Sequence, residues 1–563
     1  MSNTPRTIRR RGVSFGAFAA ATALLLTACA GGNGSADTST SASDAATTAA
    51  EAEPVAGGSL VWAVETEPLT LNAQVNGQNK AKVILRNVFD SYLFKNADGS
   101  YDPWLAESYT YNDAETELTL VLKDGITFSD GDPLDSAAVV ANFEQFRVEG
   151  YSSAATFSLR NVTAVTAPDA KTVVFTLSAP DAFFLDYLSS LNASPISPTT
   201  IASAGAELPT GGPAVAGTGP FVIESYTPGQ DVKLTKRADY DWAPPAAEHE
   251  GAAYLDELTF RFLTEASTRT GALTSGQVDV IDGVQSVDVP LFEDSEEFSY
   301  GRALNNGLPY AYYFNVSQAP LDDIKVREAF IKGVDLDAVL EGVHHGEVDR
   351  ALAPVSSISP FFDDSLAGAY ETDVDAANAL LDEAGWTERD ADGYRTKDGA
   401  RLTVLSVAAT PYLRDNRELL GQAISANLKE NVGIDFQFQA VDAGTAQEAA
   451  KANEYNNFDN SRGDSDSGQP LIFLYRTDAQ LARGKFNDPA LDALLDQAAA
   501  TNDVAARTEL YLQAQQLIVE NSYSLPLYVP QDTFAAADGI EGVTVDDAAG
   551  VIWSAYNIWK DNA

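Results

Sequence analysis

The sequence predicts a mixed α/β protein with a β-rich insertion in its first half. Two patterns lead there. Residues 258–281 and 402–438 each read strand, helix, strand, the crossover unit that builds parallel sheets. Between residues 115 and 177, short runs alternate apolar and polar side chains and break at Asp-Gly and Pro-Asp turns, as antiparallel hairpins do. With 563 residues, 45% of them hydrophobic, the chain is long enough for several domains and large cores.

The N-terminus reads as an address. Arg6, Arg9, Arg10 and Arg11 precede a mostly apolar run from Val13 to Ala28, which is short for a membrane span. Leu26-Thr27-Ala28-Cys29 resembles a bacterial lipobox. That resemblance implies a signal peptide over 1–28, cleavage before Cys29 and acylation of its thiol, with chains of buried methylenes as the anchor. The arginine run leaves twin-arginine export open beside the general route. Residues 29–57 are rich in Gly, Ser, Thr, Ala and Asp and lack aromatics, so they are expected to form a flexible tether. No later stretch reads as a transmembrane helix, which makes the expected location the outer face of the cell membrane.

The body is expected to begin near Gly57-Gly58, with a strand at Ser59–Val64. Leu118, Leu120 and Leu122 alternate in a half-buried strand over 115–123. Asp124-Gly125 and the run Ser129 to Pro133 are turns. A helix is expected over 136–146, with Asp135 as N-cap and Val139, Val140, Phe143 and Phe146 near one face. A hairpin follows over 162–177, turning at Pro168-Asp169. The later units place strands at 258–263 and 278–281 around a helix at 268–275. They also place strands at 402–407 and 434–438 around a helix at 416–429 that carries Leu419, Leu420, Ala423, Ile424 and Leu428.

Charge and cysteine content narrow the function. Lys and Arg total 36 against 81 Asp and Glu, a net charge of −45, so a nucleic-acid ligand is not expected. Cys29 is the only cysteine, which excludes an intrachain disulfide, a CxxC pair and a cysteine-rich metal site. There are three histidines, His249, His344 and His345. His344-His345 lacks the spacing of a zinc helix and reads as a solvated loop pair. Asp390-Ala-Asp392-Gly393 and Asn96-Ala-Asp98-Gly99 read as Asx turns, because neither continues as a calcium loop. Gly217-Thr218-Gly219-Pro220 is a glycine turn without a dinucleotide fingerprint. No catalytic motif emerges, and neither catalysis, a cofactor nor a bound metal is expected.

One segment is different. Asp459 to Pro470 reads as a polar loop, and Arg462, Asp464 and Asp466 place both signs of charge in it. Such a set suits a zwitterion, with a carboxylate for its ammonium and a guanidinium for its carboxylate.

An ordered series of blocks is similar to the extracellular solute-binding proteins of family 5, the peptide/nickel-type receptors of ABC importers. In order they are Leu85-Arg-Asn-Val-Phe-Asp-Ser-Tyr-Leu93, Pro103-Trp-Leu-Ala-Glu-Ser108 and Leu122-Lys-Asp-Gly-Ile-Thr-Phe-Ser-Asp-Gly-Asp-Pro-Leu134. Gly217-Thr-Gly-Pro-Phe221, Gly276-Gln-Val-Asp279, Tyr313-Phe-Asn315 and Pro320-Leu-Asp-Asp-Ile-Lys-Val-Arg-Glu-Ala329 follow. Ala379-Leu-Leu-Asp-Glu-Ala-Gly-Trp386, Leu510-Tyr-Leu-Gln-Ala-Gln-Gln516 and Leu525-Pro-Leu-Tyr528 complete the set.

The resemblance implies a two-lobed clamp with an extra β-rich subdomain, closing on a small solute and presenting it to a permease. It implies one lobe at 58–85, 215–305 and 528–563, the extra subdomain at 86–214 and a second lobe at 306–527. Peptide-binding relatives hold the peptide amine with an Asp in a Gly-Trp-x-x-Asp-like loop. The matching Ser461-Arg-Gly-Asp464 nominates Asp464, with Asp466 as the register alternative, but lacks the Trp and carries Arg462 instead. A relative's carboxylate-binding Arg falls near Pro411-Tyr-Leu-Arg-Asp-Asn-Arg417, which nominates Arg417 and Arg414, with Tyr412 to stack. The expected ligand is a peptide, with a metal–chelate (nickel or metallophore) or another small metabolite as the alternative, and a non-transport regulatory lipoprotein as the alternative to an importer's receptor. The expected partners are that solute, permease subunits and the membrane, and the body is expected to be a monomer.

Overall fold

Strand Ser59–Val64 (SLVWAV) buries Leu60, Trp62, Ala63 and Val64, and is covered on both faces as the centre of a parallel group should be. This structure is a computed structural model. It describes residues 53–561, apart from 149–150, 152–157, 480, 547–550 and 553. The signal peptide, Cys29 and the tether up to residue 52 lie outside the described residues.

Ser59–Val64 runs parallel to Glu257–Phe262 on one side and to Val280–Asp282 on the other. The strand–helix–strand unit expected over 258–281 is therefore real, with helix Ala266–Thr274, but a third strand sits between its two strands. Antiparallel strands complete a seven-stranded sheet in the order Phe298–Leu304, Gln531–Ala537, Val280–Asp282, Ser59–Val64, Glu257–Phe262, Asp231–Lys236, Phe221–Thr227.

The second sheet has six strands, ordered Asp349–Arg350, Ser524–Val529, Gly307–Phe314, Asn457–Gly463, Thr403–Ala409, Asp435–Val441. Thr403–Ala409 and Asp435–Val441 pair in parallel across helix Arg417–Asn431. That helix buries Leu420, Ile424 and Leu428 against the sheet, while Leu419, expected on the same face, is 52% exposed.

The extra subdomain carries a four-stranded antiparallel sheet ordered Ala106–Tyr111, Glu117–Leu122, Thr172–Leu177, Val162–Thr166. Leu118 and Leu120 face Phe175 and Val173 in register. Phe143 of helix Ser136–Gln145 meets Phe175 at 4.8 Å between ring centroids, and Asp135 caps the helix by accepting from the Ala138 N–H. This β-sheet shares one apolar cluster with the first large sheet.

Two short passages join the large sheets. The chain leaves the first sheet after Leu304 and enters the second at Gly307. It leaves the second after Val529 and re-enters the first at Gln531. Tyr528 and Val529 belong to the second sheet, so the return falls at Pro530 rather than at residue 528. The passages touch, because the Asn305 N–H donates to the Pro530 carbonyl at 2.8 Å.

Other expectations change with the fold. His344 is not in a solvated loop. It ends helix Leu336–His344, is 1% exposed and lies 5.2 Å from the Tyr528 ring, and burial lowers its pKa. The Gly217-Thr218-Gly219-Pro220 turn has a packing role: a Cβ on Gly217 would meet the Val88 carbonyl oxygen at 2.2 Å. Residues 459–463 are not loop but part of strand Asn457–Gly463, paired with Gly307–Phe314. Their polarity hides the strand because they line a cavity instead of a core. Among the described residues, no helix is long and apolar enough to cross a membrane.

Candidate functional site

A cavity of about 850 Å³ lies between the two large sheets and the extra subdomain, within the usual range for small-ligand sites. Its described walls carry eight basic side chains, Lys80, Lys82, Arg86, Lys95, Arg414, Arg417, Arg462 and Arg483. They carry four acidic ones, Glu65, Asp186, Asp459 and Asp464. In a chain with 36 basic and 81 acidic residues, this reverses the global balance.

Asp464 follows the end of strand Asn457–Gly463. Its N–H donates to the Asn306 carbonyl at 3.2 Å, so one of the two passages between the sheets holds the loop. Asn306 Nδ2 also donates to the Ser465 carbonyl at 3.3 Å, and Ser467 Oγ donates to Asn306 Oδ1 at 3.0 Å. Gly307 makes this approach possible: its φ is +100° and a Cβ there would sit 2.2 Å from the Arg462 carbonyl oxygen. The half-buried Asp464 carboxylate has no Lys or Arg nitrogen within 4.0 Å among the described residues. Burial and the Asp186 charge push its pKa up, Arg462 and Lys82 pull it down, and it settles at about 6.

Arg462 lays its guanidinium over the Phe473 ring at 4.5 Å. Its buried Nε has no hydrogen-bond partner among the described residues. Stacking fixes the plane of the guanidinium.

Asp466 lies elsewhere. Its Oδ2 accepts from Arg507 Nη2 at 2.7 Å and its Oδ1 from the Gly468 N–H at 2.9 Å. It is 3% exposed and is not in the cavity wall, so the structure gives it to the protein's interior.

Arg417, Arg414 and Tyr412 all reach the cavity wall. Arg417 is 3% exposed and heavily committed. Its Nε donates to Tyr528 Oη at 3.1 Å, Nη1 to the Tyr412 carbonyl at 3.2 Å and Nη2 to Ser461 Oγ at 2.8 Å. It also lies over the Tyr310 ring at 4.1 Å. Arg414 is exposed and faces Asp415 at 3.4 Å, and Tyr412 is 70% exposed at the rim. Asp459 is buried beside them and accepts from Tyr310 Oη at 2.9 Å.

Sequence reasoning missed the opposite wall. Lys80 bridges Glu65 at 2.9 Å and Asp532 at 2.5 Å. Lys95 pairs with Asp186 at 2.6 Å and donates to the Ser465 carbonyl at 2.8 Å, tying the extra subdomain to the Asp464 loop. Lys82 opens the short helix Lys82–Leu85. These residues are scattered through 65–186, and only the fold gathers them. Among the described residues, no three or more His, Cys, Asp and Glu are grouped to hold a metal ion.

Comparisons with known proteins fit this architecture. The family model described as bacterial extracellular solute-binding proteins, family 5 Middle, matches residues 100–482, more than half of the chain. The glutathione-binding protein GsiB of Escherichia coli K12 is 26% identical over 494 residues, covering 86% of this chain and 91% of that protein. NikA from Brucella suis, solved with Fe(III)-EDTA, superposes with a TM-score of 0.78 at 21% identity, covering 90% of this chain and 100% of that one. DppA from Helicobacter pylori, solved with the peptide STSA, gives 0.74 at 19% identity, covering 90% and 99%. These structures share the two-lobed fold, and their likeness speaks to fold alone. The family match and the ordered architecture agree: the chain belongs to the bacterial extracellular solute-binding proteins of family 5.

Proposed function

We propose that this protein is the receptor of an ABC importer that captures short peptides in the cavity and delivers them to a membrane permease. The observation that carries the reading is the pairing of an unmatched carboxylate, Asp464, with unmatched basic groups in one enclosed space. Asp464 takes the peptide ammonium and Arg462 a carboxylate, with Arg417, Arg414 and Tyr412 shaping the wall that Ser461 shares. A relative named for binding glutathione and a structural neighbour solved with a peptide support the class. On this reading one lobe is built on the first sheet and the other on the second. The lobes hinge at 305–306 and 530, and Cys29 carries the lipid that keeps the monomeric body at the outer face of the membrane.

The excess of basic side chains also favours a second reading, an anionic metal–chelate, as in the neighbour solved with Fe(III)-EDTA. One experiment separates the two. The soluble body from Gly57 onward is melted with pooled di- to hexapeptides, and with nickel, cobalt and iron(III) each given with organic chelators. Saturation at 100 times Kd adds about 2.7 kcal/mol, which moves the melt by a few degrees. A shift with peptides supports the peptide receptor, a shift confined to chelates replaces it, and no shift with either overturns both.

A further inference from the structure

We propose that the captured peptide is net anionic, and that Lys82 and Arg462, reaching the cavity from the two lobes, together hold an acidic side chain of the ligand. This rests on the reading of the cavity as a peptide site. Arg86 donates to Ser91 Oγ at 2.8 Å, and the other seven basic groups of the wall divide into two sets. Lys80, Lys95, Arg414 and Arg417 each have a carboxylate within 4.0 Å: Glu65 and Asp532, Asp186, and Asp415 shared by the two arginines. Lys82, Arg462 and Arg483 have none within that distance among the described residues. By that measure the uncommitted groups are these three cations against two carboxylates, Asp464 and the buried Asp459, which accepts from Tyr310 Oη at 2.9 Å. A zwitterionic peptide with a neutral side chain matches Asp464 and one cation. It leaves like charges facing each other in a confined, poorly solvated space.

Position makes the remaining pair consequential. Lys82 starts a helix whose Val83, Ile84 and Leu85 are buried in the apolar cluster of the first sheet. Arg462 is on a central strand of the second sheet. Both charges act on Asp464, so the two cations border one space, and once that carboxylate takes the ligand ammonium they are left facing each other. A ligand carboxylate in that place converts repulsion into two charge-assisted hydrogen bonds. The stacking of Arg462 on Phe473 holds its guanidinium ready for such a group.

The test is titration calorimetry of the soluble body with three tripeptide pools that have mixed flanking residues and Glu, Ala or Lys in the centre. The Glu pool is expected to bind roughly ten- to a hundredfold more tightly than the Ala pool, with the Lys pool weakest. Lys82→Gln is expected to remove most of the Glu preference while leaving affinity for the Ala pool within about twofold, and Arg462→Gln to weaken both pools, the Glu pool several-fold more than the Ala pool. Lys82→Arg keeps the preference. Equal affinity for the Glu and Ala pools, or variants that weaken every pool alike, overturns the inference and leaves the peptide reading standing. No heat with any pool overturns the peptide reading itself, and the inference with it. Thermal melts of the ligand-free variants, matching the parent, separate a lost contact from a lost fold.

Discussion

Asp466 and Arg507 form a buried ion pair, 2.7 Å from Oδ2 to Nη2, two residues from the carboxylate that faces the cavity. The side chains are 3% and 6% exposed. Removing one partner strands the other charge away from water, so Asp466→Asn is expected to cost about 3–5 kcal/mol of unfolding free energy at pH 7. Burial alone would raise the Asp466 carboxyl, but Arg507 and Lys95 hold it below its ordinary value. Its contribution is therefore present above the unfolded carboxylate value near pH 4 and fades as pH falls through the folded value. Urea denaturation at pH 7 and pH 3 checks both size and direction, and equal losses at the two pH values would contradict it.

Asp464 has the opposite sign. Its folded pKa stands at about 6, above that of an unfolded Asp, so its ionised form destabilises the ligand-free protein above that pH. Asp464→Asn is expected to raise the melting temperature at pH 8, with the gain gone below about pH 4, where both states are protonated. The same variant should lose roughly ten- to a hundredfold in peptide affinity. Binding at pH 6 should release protons from the parent protein but not from the variant, which calorimetry in buffers of different ionisation enthalpy reads directly.

Lys80 holds a crowd of carboxylates apart from one another. Glu65 and Asp532 contact it, and Asp282 Oδ1 accepts from the Glu65 N–H at 2.7 Å. Burial and the Glu65 charge push Asp282 up to about 7. Lys80→Gln leaves Asp532 without a cation within 4.0 Å among the described residues and leaves Glu65 only Arg269, at 3.7 Å. The expected loss is about 3–5 kcal/mol at pH 8 and clearly less at pH 5, where protonation relieves the repulsion. A loss independent of pH would show that packing, not charge, is the role of Lys80.

Gly307 is predicted to be intolerant of any side chain. Alanine there meets the Arg462 carbonyl at 2.2 Å and the Asp464 nitrogen at 2.8 Å, with φ at +100°. Gly307→Ala should cost more than about 2 kcal/mol and weaken ligand binding, because both obstacles are backbone atoms of the site, at the end of its strand and just beyond. Gly229→Ala is the control: φ is +72° but nothing lies within 4 Å of the added methyl, so only the smaller backbone strain applies.

The fold was legible wherever periodicity reports burial. Leu118, Leu120 and Leu122 alternate because one face of their strand meets Phe175 and Val173. Leu420, Ile424 and Leu428 recur because one helix face meets the second sheet. The rule fails at Asn457–Gly463, a central strand that reads as loop because its neighbours are Tyr310 and a cavity, not aliphatic core. His344 was misread for a related reason: a lone polar letter says nothing of the Tyr528 ring that covers it. Of the site, the motif placed Asp464 and Arg462 in one wall. Lys80, Lys82 and Lys95 carry no local signal, since their meaning lies in what stands across the gap.

A basic cavity inside a body of net charge −45 has a consequence for timing. An anionic solute approaching from afar meets a repulsive field and finds attraction only within the last Debye length, about 10 Å at 0.1 M salt. Entry is slowed and escape is slowed more. Added electrolyte therefore quickens both steps, so arrival speeds up with ionic strength where oppositely charged partners usually slow down. On the reading proposed above, the receptor trades rapid sampling of its surroundings for long residence, holding its cargo until it meets a permease.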